Sequence, residues 1–263
     1  MTRNPHGDFI WYELLTNDPA AAKAFYDPVA GWSIATEAAG DIDYRMIEAG
    51  DGPVGGTMTL TREMTDHGAR PTWLGYIGVD DVDATIAAIE QRGGKLLVPA
   101  FDMDGVGRIA MATDPQGNPF YVMRGATDEV STSFDPEKPG HAAWNELQTS
   151  DLDAAKEFYP AVFGWTLGDV MPMPVPSGVE GGEQGDYQFL DHEGRMIGAM
   201  MTAAPGAPTG WGFAFFNHDV DAAVARIAEL GGKVSQGPME VPGDQRAVLA
   251  TDPEGVPFML VGK

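Results

Sequence analysis

The sequence predicts an α+β fold in which four βαβββ modules form two tandem domains. The first observation is a repeat: residues 11–14, Trp-Tyr-Glu-Leu, return 133 positions later as Trp-Asn-Glu-Leu at residues 144–147. The second is size, because each half of the 263 residues is long enough to bury its own core. The third is that one order of strand, helix and turn signals occurs four times.

The first module is read from residue 8 onward. Residues 8–15 are rich in aromatic and branched side chains, which predicts a strand. Asp18 then caps a short helix that runs to Tyr26, with Pro19 at its first position. Strand-like runs at residues 33–36, 43–47 and 54–60 follow, separated by glycine and aspartate turns.

The second module repeats this order. Residues 73–79 predict a strand, Asp81 caps a helix, and a glycine pair at residues 93–94 ends it. A hairpin follows around Asp-Pro-Gln-Gly at residues 114–117, which is typical of a type I turn. The second half repeats these signals, including Asp219 and Asp-Pro-Glu-Gly, so modules three and four are expected there.

The repeat also predicts the domain boundaries. Domain 1 covers residues 1–125, a polar linker with two prolines covers residues 126–139, and domain 2 covers residues 140–263. The repeat offset rises from 133 to 143 within the second half, so ten extra residues lie within residues 171–185. We expect a surface loop without a role there, and a lid over a pocket is the alternative.

Composition excludes several classes of function. There is no cysteine, so disulfides, thiolate catalysis and cysteine-ligated metals are excluded. The formal net charge of −23 disfavours nucleic acid and anionic lipid as partners. No apolar run approaches a membrane span, and the first residues lack a signal core, so a cytoplasmic location is the default expectation.

Several short motifs follow one another in a fixed order: Phe-Tyr at residues 25–26, Gly-Trp at 31–32, Val-Asp-Asp-Val-Asp at 79–83 and the Asp-Pro-x-Gly turn. Together these motifs resemble the glyoxalase, bleomycin-resistance and extradiol-dioxygenase superfamily, also called vicinal oxygen chelate proteins. More closely, the chain is similar to tandem, two-domain glyoxalase-like proteins of bacteria. The resemblance implies a cupped, partly closed mixed sheet in each domain, around a pocket that holds a divalent metal in the enzymes.

The same resemblance places metal ligands seven residues before each helix-capping aspartate and four residues after the glycine of Asp-Pro-x-Gly. Those positions here hold Trp11, Leu74, Trp144, Gly212, Tyr121 and Met259. Indole, alkyl and thioether groups do not replace oxygen or imidazole ligands for such metals. We therefore expect no metal and no cofactor. His141 lies at an odd separation before Trp144, and we expect a surface or interface histidine rather than a ligand.

Two glutamates are the candidate functional residues. Glu13 and Glu146 lie two residues after the vacant first-strand positions, so strand alternation places them on the pocket face. Each is a candidate proton acceptor or ligand contact, and a structural hydrogen-bond acceptor is the alternative. The predicted ligand-binding residues are Trp11, Glu13, Tyr121, Trp144, Glu146 and Met259. Arg108 and Arg246 are equivalent, and ion pairs are expected for them over anion binding.

The leading hypothesis is a metal-free protein that binds a small molecule in aromatic pockets. One alternative is a glyoxalase-type lyase or isomerase, or a dioxygenase-related enzyme, with an atypical site. Another is an interaction protein with vestigial pockets. The sequence leaves open whether the protein is an enzyme, which ligand it binds and its oligomeric state.

Overall fold

The computed structural model describes residues 3–38, 40, 42–173 and 185–263. The first half contains β1 (Phe9–Thr16), α1 (Pro19–Ala30), β2 (Ser33–Ile34), β3 (Tyr44–Ala49), β4 (Gly52–Thr59), α2 (Arg62–Asp66), β5 (Thr72–Gly78), α3 (Val82–Gln91), β6 (Lys95–Met103), β7 (Gly107–Thr113) and β8 (Pro119–Gly125). The second half contains β9 (Ala142–Thr149), α4 (Leu152–Phe163), β10 (Thr166–Met173), β11 (Gly185–His192), β12 (Arg195–Thr202), β13 (Gly210–Asn217), α5 (Val220–Glu229), β14 (Lys233–Val241), β15 (Gln245–Thr251) and β16 (Pro257–Gly262).

Within the described residues, the strands form two mixed sheets of eight, and each sheet belongs to one half of the sequence. The first sheet has the order β2-β3-β4-β1-β5-β8-β7-β6, and the second has the order β10-β11-β12-β9-β13-β16-β15-β14. In each module the first strand pairs in parallel with the last strand. The predicted α+β class with four βαβββ modules is therefore confirmed.

Several element boundaries differ from the prediction. Helix α1 continues to Ala30, four residues past the predicted end. Pro28 removes one backbone hydrogen bond in its last turn, but the burial of Val29 and Ala30 favours the longer helix. The strand expected at residues 33–36 shortens to Ser33–Ile34. Helix α2 and the edge strands β6 and β14 carry no clear sequence signal.

The helix caps form as predicted. The side chain of Asp18 accepts hydrogen bonds from the backbone N–H groups of Ala20 and Ala21, and Asp81 accepts one from Ala84. Gly31, with φ of 76°, ends α1 in the left-handed region that glycine tolerates. No helix among residues 3–38, 40, 42–173 and 185–263 is long and apolar enough to span a membrane.

The chain divides into two compact units that cut across the sequence halves. One unit comprises Met1–Phe9, Tyr76–Val130 and Asn145–Trp211. The other comprises Ile10–Gly75, Ser131–Trp144 and Gly212–Lys263. Each unit thus combines one module from the first half with one from the second. The domain boundaries predicted from the repeat stay a prediction.

The repeated aromatic motifs lie in the cores of these units. In one unit, Trp32 Nε1 donates to the carbonyl of Gly140 at 2.7 Å. In the other, Trp165 Nε1 donates to the carbonyl of Gly7 at 2.8 Å. The Gly-Trp motif therefore satisfies its indole N–H with a backbone carbonyl from the opposite half of the sequence, just before that half's first strand.

The Phe-Tyr motif meets the Asp-Pro-x-Gly turn in the same way. The hydroxyl of Tyr26 accepts from Trp73 Nε1 at 3.2 Å and donates to Asp252 Oδ2 at 3.1 Å. Its equivalent, Tyr159, makes the corresponding bonds with Trp211 and Asp114, both at 3.0 Å. Both tyrosines have 0% exposure, so these motifs hold each unit together from two distant segments.

Candidate functional site

The candidate residues Trp11 and Glu13 lie on β1 of the first sheet. Trp11 is half-buried, whereas Glu13 has an exposure of 1%. Strand β1 pairs with β4 so that Glu13 lies opposite Gly56. Because side chains alternate along a strand, Trp11 and Glu13 share one face of the sheet and Tyr12 lies on the other. Tyr12 packs edge-on against Phe213, at a ring distance of 5.0 Å.

Tyr44 completes this group of side chains. Trp11 Nε1 donates to the hydroxyl of Tyr44 at 2.6 Å. A Cβ added at Gly56 would lie 2.2 Å from the Tyr44 hydroxyl and 2.3 Å from its ring carbon Cζ. The ring of Tyr44 therefore lies over Gly56, directly beside Glu13, and Gly56 is the residue that leaves room for it.

In the second sheet, the residues equivalent to Trp11, Glu13 and Tyr44 are Trp144, Glu146 and Tyr187. Tyr187, which corresponds to Tyr44, donates its hydroxyl hydrogen to Glu146 Oε2 at 2.7 Å. Gln148 Nε2 lies 3.5 Å from Oε1 of the same carboxylate, at the limit of a hydrogen bond. Ala199, in place of Gly56, lies opposite Glu146 on β12. Glu146 is only half-buried, in contrast to Glu13.

The last strands of the two halves also differ. Tyr121 on β8 lies beside Tyr76 on β5, and their rings stack with centroids 4.2 Å apart and planes 17° apart. Both rings are buried, with exposures of 8% and 7%. In the second sheet the same two positions hold the much smaller Ala214 and the half-buried, flexible Met259. The predicted site residues thus form unlike surfaces in the two sheets.

Sequence reasoning missed the two tyrosines, Tyr44 and Tyr187. Their signal was the repeat itself, because they are equivalent at an offset of 143 positions. The ring of Tyr44 lies over Gly56, the residue opposite Glu13, and the hydroxyl of Tyr187 donates to Glu146. These positions depend on the register in which β3 pairs with β4 and β11 pairs with β12. Sequence spacing alone does not give that register.

The remaining candidates have structural roles. Arg108 forms a two-pronged ion pair with Asp83, and Arg246 forms the same pair with Asp221, so the expected ion pairs are confirmed. A surface or an interface histidine was expected at His141, and the surface alternative is wrong because its exposure is 0%. It is buried because its ring nitrogens contact the carbonyl of Thr132 and the carboxylate of Asp51.

Comparison with known proteins matches this architecture to one family. The family model described as the Glyoxalase/Bleomycin resistance protein/Dioxygenase superfamily matches residues 9–122 and 138–260. The chain belongs to this superfamily. The two matched segments correspond to the two sheets, so the superfamily fold occurs twice in this chain, as the repeat predicted.

Full-length relatives carry two kinds of name. The chain is 32% identical to a putative glyoxylase, CFP32, of Mycobacterium tuberculosis over 95% of this chain and 93% of the relative. It is 30% identical to the anthracycline biosynthesis protein DnrV of Streptomyces peucetius over 99% of this chain and 95% of the relative.

Solved structures of the superfamily show the fold alone at their level of identity. The homoprotocatechuate 2,3-dioxygenase of Brevibacterium fuscum has a TM-score of 0.67 at 13% identity, covering 98% of this chain and 82% of that chain. The Mn(II)-bound glyoxalase of Novosphingobium aromaticivorans has a TM-score of 0.61 at 18% identity, covering 99% and 82%.

The side chains of this superfamily member do not fit the metal that the resemblance implies. The positions at which carboxylate or imidazole is expected are occupied by Trp11, Leu74, Trp144, Gly212, Tyr121 and Met259. Within the described ranges, no group of three or more His, Cys, Asp or Glu side chains is placed to hold a metal ion. The donor set for a divalent metal is therefore missing from the part of the chain that is described.

The insert expected in the second half lies between strands β10 and β11. Residues 174–184, which make up most of the segment expected to be a surface loop or a lid, lie outside the described residues. Strands β10 and β11 flank that segment and pair antiparallel.

Proposed function

We propose that this superfamily member binds a small molecule on its sheet faces without the metal used by the superfamily's enzymes. The observation that carries the proposal is the pairing of Glu146 with Tyr187 on a half-buried face of the second sheet. A carboxylate held by one tyrosine hydroxyl keeps its second oxygen oriented toward a ligand. The predicted lining residues are Trp11, Glu13, Tyr121, Trp144, Glu146 and Met259.

The chemistry of these faces favours a flat, uncharged or cationic ligand. Aromatic rings and thioethers provide apolar contact, and the only charged groups among the predicted lining residues are carboxylates. The formal charge of −23 further disfavours anions. The name of the relative DnrV supports an aromatic ligand, because anthracyclines are flat, hydroxyl-bearing ring systems.

Native mass spectrometry of freshly purified protein tests the binding proposal. We expect a copurified small molecule, or binding of an added anthracycline, that is weakened at least tenfold by Glu146→Gln. The variant Glu157→Gln, which makes the same change on the exposed face of α4, serves as control. Binding unchanged by Glu146→Gln would refute the role of the carboxylate.

Metal analysis tests the other half of the proposal. We expect less than a tenth of an equivalent of zinc, nickel, manganese or iron in protein purified without chelator. We expect this because the first-strand and last-strand positions carry neither carboxylate nor imidazole to bind a metal. A stoichiometric metal that chelator removes, with loss of ligand binding, would contradict it.

A second candidate function is a lyase or isomerase of the glyoxalase type, favoured by the name of the relative CFP32. In that case Glu146 would accept a proton from the substrate while Tyr187 holds the carboxylate in place. Glu146→Gln would then abolish turnover while substrate binding persists. A pure binding protein shows no turnover in either form, so the kinetic assay separates the two functions.

A further inference from the structure

The two sheets present unlike faces around their equivalent glutamates. On three neighbouring strands of the first sheet, Glu13, Gly56 and Met46 form one row, and Leu15, Met58 and Tyr44 form the next. On the second sheet the rows are Glu146, Ala199 and Phe189, then Gln148, Met201 and Tyr187. The duplication thus allows a position-by-position comparison of the two faces.

In the first sheet, the space beside the glutamate is already filled. The Tyr44 ring lies over Gly56, which is the residue opposite Glu13, and its hydroxyl accepts from Trp11 Nε1. The carboxylate beneath is 1% exposed. A ligand atom would have to displace an ordered tyrosine ring and break a 2.6 Å hydrogen bond to reach it.

In the second sheet, Ala199 lies opposite the glutamate where the first sheet has Gly56. Tyr187 donates to Glu146 Oε2, and the contact described for Oε1 is 3.5 Å long, to Gln148. Glu146 is half-buried, as are Phe189 in the same row and Met201 in the next row.

We propose that the second sheet alone holds the ligand, which is a flat apolar molecule with one hydroxyl or amine hydrogen accepted by Glu146 Oε1. Tyr187 is the positioning residue, since it holds Oε2 and turns Oε1 toward the ligand. The Glu13, Tyr44 and Trp11 group of the first sheet is a closed, structural counterpart. This inference rests on the proposed small-molecule function and narrows it to one site.

The test uses two matched probes, 2-naphthol and 2-methoxynaphthalene, which share a flat body but differ in the hydrogen-bond donor. Isothermal titration calorimetry and native mass spectrometry measure affinity and stoichiometry on the full chain. We expect one 2-naphthol per chain and at least tenfold weaker binding of 2-methoxynaphthalene. Glu146→Gln should weaken 2-naphthol at least tenfold more than Glu13→Gln does.

Tyr187→Phe distinguishes positioning from mere packing. We expect it to weaken 2-naphthol severalfold and leave 2-methoxynaphthalene unchanged, because only the first probe needs an oriented carboxylate. Two 2-naphthol molecules per chain, or a larger loss with Glu13→Gln than with Glu146→Gln, would overturn the assignment to the second sheet while leaving small-molecule binding intact. Absence of binding by both probes would overturn the ligand class, and a thermal shift with each variant confirms that the proteins are folded.

Discussion

Replacing Tyr26 by Phe removes a single buried hydroxyl that both accepts and donates a hydrogen bond. Trp73 Nε1 donates to it at 3.2 Å, and it donates to Asp252 Oδ2 at 3.1 Å. Burial, followed by the nearby charge of Asp252, raises the pKa of Tyr26 well above its ordinary value, so the hydroxyl stays protonated. The change leaves the ring packing in place and isolates the polar contacts.

The expected cost follows from the partners left behind. The neutral indole bond is worth about 1 kcal/mol and the bond to the carboxylate about 2 kcal/mol. Asp252 Oδ1 keeps its bonds from the N–H groups of Glu254 and Val256. Oδ2, in contrast, has only the Tyr26 hydroxyl among the described residues. The free energy of unfolding should therefore fall by about 3 kcal/mol.

Tyr159→Phe is the matched variant that the duplication provides. Tyr159 makes the same two bonds, to Trp211 and to Asp114 Oδ2. Here, however, Asn118 Nδ2 also donates to Oδ2 at 2.7 Å, a bond that Val256 cannot make at the equivalent position. The carboxylate of Asp114 stays partnered, so Tyr159→Phe should cost about 1 kcal/mol less than Tyr26→Phe.

Urea unfolding, followed by circular dichroism and by tryptophan fluorescence, measures both costs. The comparison requires that the two probes coincide and that the slope with denaturant is unchanged between variants. Equal costs for the two variants, or a larger cost for Tyr159→Phe, would refute the argument that the unpartnered Asp252 oxygen sets the difference. A cost below about 1 kcal/mol for Tyr26→Phe would refute the hydrogen-bond magnitudes themselves.

Three further predictions concern single contacts. Hydrogen bonds from Lys138 and, to a lesser extent, from His141 lower the pKa of Asp51 to about 2. The contribution of Asp51 to stability is therefore present above the ordinary aspartate pKa and is lost as pH falls through about 2. Asp51→Asn should destabilise the protein at pH 6, and the difference in unfolding midpoint between variant and parent should shrink between about pH 4 and pH 2. Gly56→Ala should displace the Tyr44 ring and break its hydrogen bond with Trp11. In a ¹H,¹⁵N spectrum, one of the six indole N–H resonances should then move upfield. If all six resonances stay in place, the packing of Tyr44 over Gly56 is contradicted. Asp18→Ala should cost about 1 kcal/mol in urea unfolding because two N–H groups of α1 lose their acceptor, and Asp18→Asn should recover most of it.

Local signals explain why so much of the fold could be predicted from sequence. Helix caps such as Asp18 and Asp81 act on N–H groups two or three residues away, so spacing alone reveals them. The Asp-Pro-x-Gly turns are equally local. The repeat then supplies the order of the modules, because a pattern that recurs in sequence recurs in structure.

Elements that depend on pairing were harder to predict. Strand β6 pairs with β7 through two register shifts, which disrupt the alternation by which strands are recognised. Tyr44 belongs to the candidate site because its ring lies over Gly56, and Tyr187 belongs to it because its hydroxyl donates to Glu146. The contact between the Phe-Tyr motif and the Asp-Pro-x-Gly turn was also hidden, because Tyr26 and its partner Asp252 lie more than 200 residues apart in sequence.

One pair of contacts shows how the duplication has kept an interaction while exchanging its residues. His141 Nε2 contacts Asp51 Oδ1 at 2.7 Å, and His192 Nε2 lies 3.4 Å from Asp8 Oδ1. Asp8 is the repeat equivalent of His141, and His192 lies two residues before Gly194, the equivalent of Asp51, so the acid and the imidazole lie on opposite sides of the contact in the two units. Burial raises the pKa of Asp8 and lowers the pKa of His192, although the nearby charges of His192 and Arg195 act on Asp8 in the opposite direction.

This exchange bears on the vacant metal positions. A ligand set could in principle be exchanged in the same way, with imidazole or carboxylate moved to neighbouring strands. Such a move would still bring three donors together, since a divalent metal needs them at one point. Within the described ranges no such group occurs, and Trp11 and Tyr121 fill the usual positions with hydrogen-bonded or stacked rings. Within the described residues, other side chains occupy the usual ligand positions and no relocated group of donors occurs, which is the ground on which we propose a site that works through Glu146.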